Sequence, residues 1–319
     1  MICVIMALEL RKRRVFVIIK PRMDEDKVLN SAGQACAGLE RGEAYGGRKR
    51  ARIVRETAGG GENRTTVSRS EKRLAAKGAV GVVGKLTEVA LRRFNMIQEG
   101  DRILVAVSGG KDSTTLACDL AAKRRWWPVH YEIQAIHIAT DFCNCCKKTT
   151  LVSLLESWQV PYVSVDVPVI GRLKPGRSMN CYWCSTQRRT ELIRYAMANG
   201  YNKIALGHHL DDIVETLLMN MLYKGEISGM LPVLAYKKYP LTIIRPLALC
   251  EERQIIAYAE EKGFRSAVCT CPFGVESKRR DVRARIAALT GDSGAQKRRL
   301  FESTMHIKQE YLQGFEAEE

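Results

Sequence analysis

The sequence predicts an α/β protein, an open parallel sheet with helices on both faces, and three observations carry that expectation. From residue 80 onward strand-like and helix-like segments alternate. The first strand-like run, Arg102 to Val107, is continuously apolar after its first residue, as a strand covered on both faces must be. It hands over at once to a glycine-containing turn and a helix, the arrangement in which such sheets bind nucleotides.

The elements follow in order. Val82, Leu86, Val89, Ala90 and Phe94 recur at helical spacing and predict an amphipathic helix. After the strand at 102–107 come a helix over 113–124, a strand over 132–139, a helix over 147–158 and a strand over 162–167. A helix over 186–199, a strand over 203–206 and a helix over 212–223 form a further round. Thr242 to Arg245 and Glu251 to Lys262 read as one more strand and helix.

Three regions are expected. Residues 1–78 read as a disordered basic arm, because Gly42 to Arg69 mixes Arg, Gly, Glu, Thr and Ser with few large apolar groups and cannot offset its ordering entropy. Residues 79–265 form the catalytic domain. Residues 266–319 form a cysteine-containing, basic, helical extension of it.

Composition bounds the function. The 319 residues are 46% hydrophobic and 27% charged, ordinary for a globular chain. The apolar runs are too short to span a bilayer, and the basic cluster Arg11 to Arg14 follows the apolar opening instead of preceding it, unlike a secretory signal. A cytoplasmic protein with no membrane partner is expected. The net charge of +16 favours polyanionic partners. With 18 basic and 9 acidic side chains in residues 1–80, +9 of that charge lies there and +7 beyond. Eleven cysteines in a reducing compartment serve metals or chemistry more often than disulfides.

Ser108-Gly109-Gly110-Lys111-Asp112-Ser113 lies between a strand and a helix. Its glycines let the backbone approach a ligand, helix N–H groups point at that ligand, and Lys111 adds a mobile charge, so the loop suits phosphate. It is no Walker A loop, since Val105 stands where the first glycine of that motif belongs. The hexapeptide resembles the PP-loop of the N-type ATP pyrophosphatases, which cleave ATP between the α and β phosphates and adenylate a carbonyl. Gly207-His208-His209-Leu210-Asp211-Asp212 follows a second strand and is similar to the GHHxDD segment of PP-loop enzymes that modify tRNA. Asp212 with Glu215 also reads as a capping box for the next helix, which requires no chemistry of either aspartate.

Cys181-Tyr182-Trp183-Cys184 has the gap that lets two sulfurs reach one metal. The long loop before it, 168–180, argues against a redox pair placed directly after a strand. Further ligands must come from elsewhere, and Cys269-Thr270-Cys271 offers them. The PP-loop, the CxxC followed by Arg188-Arg189, GHHxDD, Ile244-Arg245-Pro246-Leu247 and a late cysteine, taken together, resemble the tRNA 2-thiocytidine synthetase family over roughly residues 82–290.

That resemblance implies a [4Fe-4S] cluster held by Cys181, Cys184 and one late thiolate, with the fourth iron open. The chain departs from the family's late CxxC, since Cys269 and Cys271 are one residue apart; the position of Phe264 favours Cys271. Four sulfurs at plausible spacing also fit zinc. The resemblance further implies ATP and Mg2+ on Ser108 to Ser113 with Gly207, His208 and Asp211, and catalytic roles for Lys111, Asp112 and Asp212. It implies tRNA as substrate, cytidine 32 as target and a cysteine desulfurase as sulfur source. Members of the family often form homodimers, for which this sequence shows no self-association stripe.

The alternatives are a thiouridine synthetase, a lysidine-type ligase that would leave the cysteines unexplained, and a zinc-stabilised RNA-binding module. Cys143, Cys145 and Cys146 read as reduced loop thiols, and Cys118 and Cys250 as packing residues. Lys123-Arg124-Arg125-Trp126-Trp127, Lys278 to Arg280 and Lys297 to Arg299 are candidate RNA contacts.

Overall fold

The computed structural model describes residues 5–10, 13–18, 78–142, 148–264 and 278–311. The chain divides into two units, Met1–Asn63 and Arg64–Glu319. In the first, β1 (Ile5–Leu10) and β2 (Arg13–Ile18) pair as an antiparallel hairpin. Apolar and β-branched residues on both sides of Arg11-Lys12 favour strand pairing there.

The second unit holds α1 (Gly78–Arg93), β3 (Asp101–Ala106), α2 (Lys111–Lys123), β4 (Tyr131–Thr140), α3 (Lys148–Ser157) and β5 (Tyr162–Val167). It continues through α4 (Cys181–Ala198), β6 (Lys203–Ala205), α5 (Leu210–Lys224), β7 (Val233–Ala235), β8 (Thr242–Ile244) and α6 (Glu252–Glu261). The extension forms α7 (Lys278–Thr290) and α8 (Gly294–Ser303), with a 3-10 turn at Gln309–Tyr311.

The sheet runs β5-β4-β3-β6-β8-β7 and is parallel except for β7, which pairs antiparallel with β8. That edge strand is absent from the sequence-based expectation. Alternate residues serve opposite faces: Ile103 and Val105 join one buried cluster, Leu104 the other. The first cluster takes buried side chains from α1, α2, α3, α5, α6, α7 and α8. In the second the helical contribution comes from α4, through Ala196, Leu192 and Trp183.

Two expected details shift. The buried stripe of α1 is Val83, Thr87, Ala90 and Leu91, one residue on from the expected one, and Val89 is exposed. Thr87 is tolerated in the core because its hydroxyl donates to the Val83 carbonyl at 2.8 Å. The helix expected over 186–199 begins at Cys181, because Asn180 caps it by accepting the Trp183 N–H at 2.8 Å.

From β3 the chain winds outward to β4 and β5, then returns to the other side of β3 with β6. The switch point between β3 and β6 opens a crevice at the carboxyl ends of those strands, where α/β sheets bind ligands. Both glycine-containing loops leave the sheet at that crevice.

Candidate functional site

The loop after β3 is held by its own serines. Ser108 N–H donates to Ser113 Oγ at 3.1 Å, Gly110 N–H donates to Ser108 Oγ at 3.3 Å, and Ser113 Oγ donates to the Gly110 carbonyl at 3.1 Å. Gly109 has φ +84°, a left-handed conformation that favours glycine. Gly110 caps α2 without a side chain, so nothing of its own covers the first helical turn and its positive dipole end.

The loop after β6 packs directly on that turn. A Cβ at Gly207 would lie 3.0 Å from Ser113 N, 3.1 Å from Asp112 C and 3.1 Å from Ser113 Cα, all backbone atoms. Gly207 is therefore what lets the two loops form one continuous wall. His208 beside it is held neutral, its pKa pushed down to about 4 by burial and then by Arg245, whose Nε donates to His208 Nδ1 at 3.3 Å. Arg245, itself buried and lowered to about 10 by burial and by Arg189, also donates to the Leu231 carbonyl.

His209 is buried among three carboxylates, 3.4 Å from Asp212, 3.6 Å from Asp211 and 3.9 Å from Asp112. Two atoms in this group, His209 Nδ1 and Asp112 Oδ1, are buried without a hydrogen-bond partner. Unmet buried polar atoms are costly, and at a crevice they mark where a polar ligand binds.

Lys111 stands over the wall with its ammonium 2.9 Å from Glu252 Oε1 and 3.2 Å from Asp112 Oδ1. Burial alone would lower its pKa, but the two carboxylates outweigh that and raise it, so Lys111 is charged. Asp212 Oδ2 accepts the His209 N–H at 3.2 Å, as the third residue of a helix that begins at Leu210 and is capped by His209, which corrects the expected capping box of Asp212 with Glu215; its other oxygen lies 3.6 Å from Arg279. Asp211 is engaged on both oxygens, by the Glu252 N–H at 2.7 Å and by Lys297 Nζ at 2.9 Å. Burial would raise its pKa; these bonds outweigh that and lower it.

The cations that complete this network were read in sequence only as candidate RNA contacts, in the case of Arg279 and Lys297, or not singled out, in the case of Arg283. Arg283 Nε lies 2.7 Å from the buried Glu215 and its Nη1 3.3 Å from Glu252; Arg279 lies 3.5 Å from Glu215. With Lys297 they come from α7 and α8, so the basic extension is part of the site's wall. In sequence they look like a solvated charge run, and only the carboxylates two to five residues into α5 and at the head of α6 could have drawn attention to them.

Cys181 is exposed and Cys184 half-buried, one helical turn apart in the first turn of α4. That end of α4 follows β5 through a loop, so it lies at the same sheet edge as Lys111. Thiols at i and i+3 project from one face and can converge on one centre. The late ligand, Cys271 or Cys269, lies outside the described residues, as do Cys143, Cys145 and Cys146. Among the described residues alone no three His, Cys, Asp or Glu side chains are arranged so that they could hold a metal ion. Cys118 and Cys250 are buried packing residues, and burial pushes the Cys250 thiol up to about 12.

Lys123 to Trp127 closes α2 about 18 Å along the helix axis from Lys111, away from the crevice. Lys123 is consumed by a buried pair with Asp119 at 2.7 Å, and Arg92 covers Trp127 at 4.7 Å. That segment is therefore not part of the crevice. No helix among the described residues is long and apolar enough to cross a membrane.

Comparison with known proteins agrees with this geometry. A family model described as a PP-loop domain matches residues 85–287, more than half of the chain. A tRNA-cytidine(32) 2-sulfurtransferase of Syntrophotalea carbinolica is 40% identical over 193 residues, covering 60% of this chain and 74% of its own. Its counterpart from Geobacter metallireducens is 36% identical over 228 residues, covering 70% of this chain and 88% of its own. Among solved structures, a U34-tRNA thiolase from Methanococcus maripaludis with its [4Fe-4S] cluster shares the fold at a TM-score of 0.60 and 21% identity, covering 73% of this chain and 80% of that one.

Proposed function

The chain belongs to the PP-loop family of tRNA-cytidine 2-sulfurtransferases, and on that premise we propose that it activates the C2 carbonyl of a tRNA cytidine, at position 32, with ATP and replaces the oxygen by sulfur. The observation that carries this reading is the single wall built by Gly207 against Ser113, with Lys111 above it and the Cys181–Cys184 turn at the same edge of the sheet.

ATP lies with its phosphates on Ser108 to Ser113. The helix N–H groups and Lys111 bind the phosphates and offset the charge that develops as the α-phosphate is attacked. A triphosphate beside Asp112 and Asp212 calls for a divalent cation such as Mg2+, for which these two carboxylates offer oxygen donors. A cytidine turned out of its stack presents its C2 oxygen to the α-phosphate. Attack of that oxygen on the α-phosphate expels pyrophosphate and makes the adenylated oxygen a leaving group; sulfur at the sulfide level then takes its place at C2, and AMP departs. His208, kept neutral beside Arg245, and the capped Asp212 keep the second loop rigid while this occurs.

Two thiols in one helical turn, with a late thiolate, fit a [4Fe-4S] cluster held by Cys181, Cys184 and Cys271. When bound, that group supplies an open iron position able to carry the sulfur. Arg189 and Arg279 at the rim offer charge to the RNA backbone, and a cysteine desulfurase is the sulfur source.

The test pairs two variants of anaerobically purified protein. Lys111→Ala is expected to abolish ATP-dependent thiolation while keeping iron and visible colour. Cys181→Ala is expected to lose iron yet still bind ATP. A colourless parental protein with one zinc and no iron refutes the cluster, and an active Lys111→Ala refutes the role of the loop.

A further inference from the structure

Glu252 occupies a position that the reaction alone does not explain. One of its oxygens holds Lys111 at 2.9 Å, the other faces Arg283 at 3.3 Å, and its backbone N–H is fixed by Asp211 at 2.7 Å. Asp211 is in turn fixed by Lys297 at 2.9 Å. The carboxylate therefore sits on an anchored root, between a lysine of the phosphate loop and an arginine of the C-terminal extension.

Lys111 cannot serve a triphosphate while two carboxylates engage its ammonium. To reach phosphate it must release Glu252, and a released carboxylate beside a polyanion is repelled unless it has another partner. We propose that Glu252 is a positioning residue for Lys111 and that Arg283 takes over its carboxylate when Lys111 turns to ATP. Without nucleotide, Glu252 holds the lysine extended over the loop; with nucleotide, the ammonium exchanges carboxylate for phosphate and Arg283 keeps the carboxylate from following. Glu215, buried and 2.7 Å from Arg283 Nε, keeps the guanidinium in place for the exchange. The extension thereby sets the affinity of a loop that lies about 170 residues earlier in the chain. This inference rests on the reading of Ser108 to Ser113 as the ATP phosphate site.

The experiment is steady-state kinetics of the full chain with ATP as the varied substrate. Arg283→Met leaves Glu252 with Lys111 as its counter-ion, and is expected to raise KM for ATP about five- to tenfold, the coupling usual within one ion-pair network, with a smaller fall in kcat. Adding Glu252→Gln to Arg283→Met is expected to return KM toward the parental value, since nothing then competes for the lysine. Arg283→Lys, which keeps the charge, is expected to stay within about twofold of parental KM.

A purely structural role for Arg283 predicts additive losses and no rescue, and that result overturns the proposal, as does a parental KM in Arg283→Met. If Arg283→Met does not fold, a raised KM in Arg283→Gln that Glu252→Gln reverses supports the exchange, and an unreversed one overturns it. Lys111→Ala separates the two levels. Read by equilibrium ATP binding, if it weakens the complex while Arg283→Met does not, the exchange alone fails; if neither weakens it, the assignment of the phosphate loop fails.

Discussion

Replacing Gly207 by alanine probes the contact between the two loops, because nothing else at that position would change. The added methyl carbon would lie 3.0 Å from Ser113 N and 3.1 Å from both Asp112 C and Ser113 Cα. Ordinary van der Waals contact begins near 3.4 Å, so the first turn of α2 must retreat by a few tenths of an ångström. No side chain can swing aside to spare it, since all three atoms are backbone. Overpacking of this kind costs about 1–3 kcal/mol. At roughly 2–4 °C per kcal/mol for a domain of this size, the melting temperature should fall by about 2–12 °C. The retreat also displaces the N–H groups and Lys111 from the phosphates, and a misplacement of about 1 Å can cost a hundredfold, so about tenfold in kcat/KM for ATP is expected from a smaller shift. Calorimetry with and without ATP, together with ATP-dependent thiolation, measures both. Parental stability and parental kcat/KM in Gly207→Ala would refute the idea that the loops share one wall.

Three further outcomes are expected. Acidification should destabilise the protein through His208: its folded pKa of about 4 lies below its ordinary 6.5, so the unfolded chain binds more protons between those values. Stability is then full above pH 6.5 and falls as pH drops toward 4, by at most about 3 kcal/mol, and His208→Gln should flatten that part of a chemical-denaturation pH series. Gly294→Ala, at the head of α8, should destabilise by about 1–3 kcal/mol in thermal melts, because its methyl would displace the buried carboxylate of Glu251. Asp211→Asn should weaken the anchor of Glu252 and the pair with Lys297, and is expected to raise KM for ATP severalfold without loss of bound iron, read by kinetics and metal analysis.

The sheet and its two loops were legible because each strand is a short apolar run next to a glycine motif, and local pattern suffices for both. What escaped depended on distant partners. β7 is three residues long, and its pairing with β8 is antiparallel, so neither length nor period marks it. The start of α4 at Cys181 was hidden because Cys-Tyr-Trp-Cys carries no apolar period; its cap, Asn180, was the signal available. In α1 two helical stripes one residue apart fit the letters equally well, and packing against α6 selected the one that includes Thr87.

The site divides the same way. Lys111, Asp211 and Asp212 stand out in sequence through their motifs, but the bonds of Asp211 to the head of α6 and to Lys297 are written in neither motif. Glu252 and Arg283 carry no motif at all, and Arg279 was marked only as part of a basic cluster. Their importance comes from the fold bringing α5, α6 and α7 together at the switch point, and no spacing within any one segment could reveal that.

The most direct measurement is mass spectrometry of nucleosides from tRNA incubated with the purified, anaerobically handled protein, a sulfur donor and ATP, alongside the same mixture lacking ATP. The account predicts 2-thiocytidine only when ATP is present, with AMP released in step with it. Thiolated cytidine formed without ATP, a lysine adduct in its place, or ADP as the nucleotide product would contradict it.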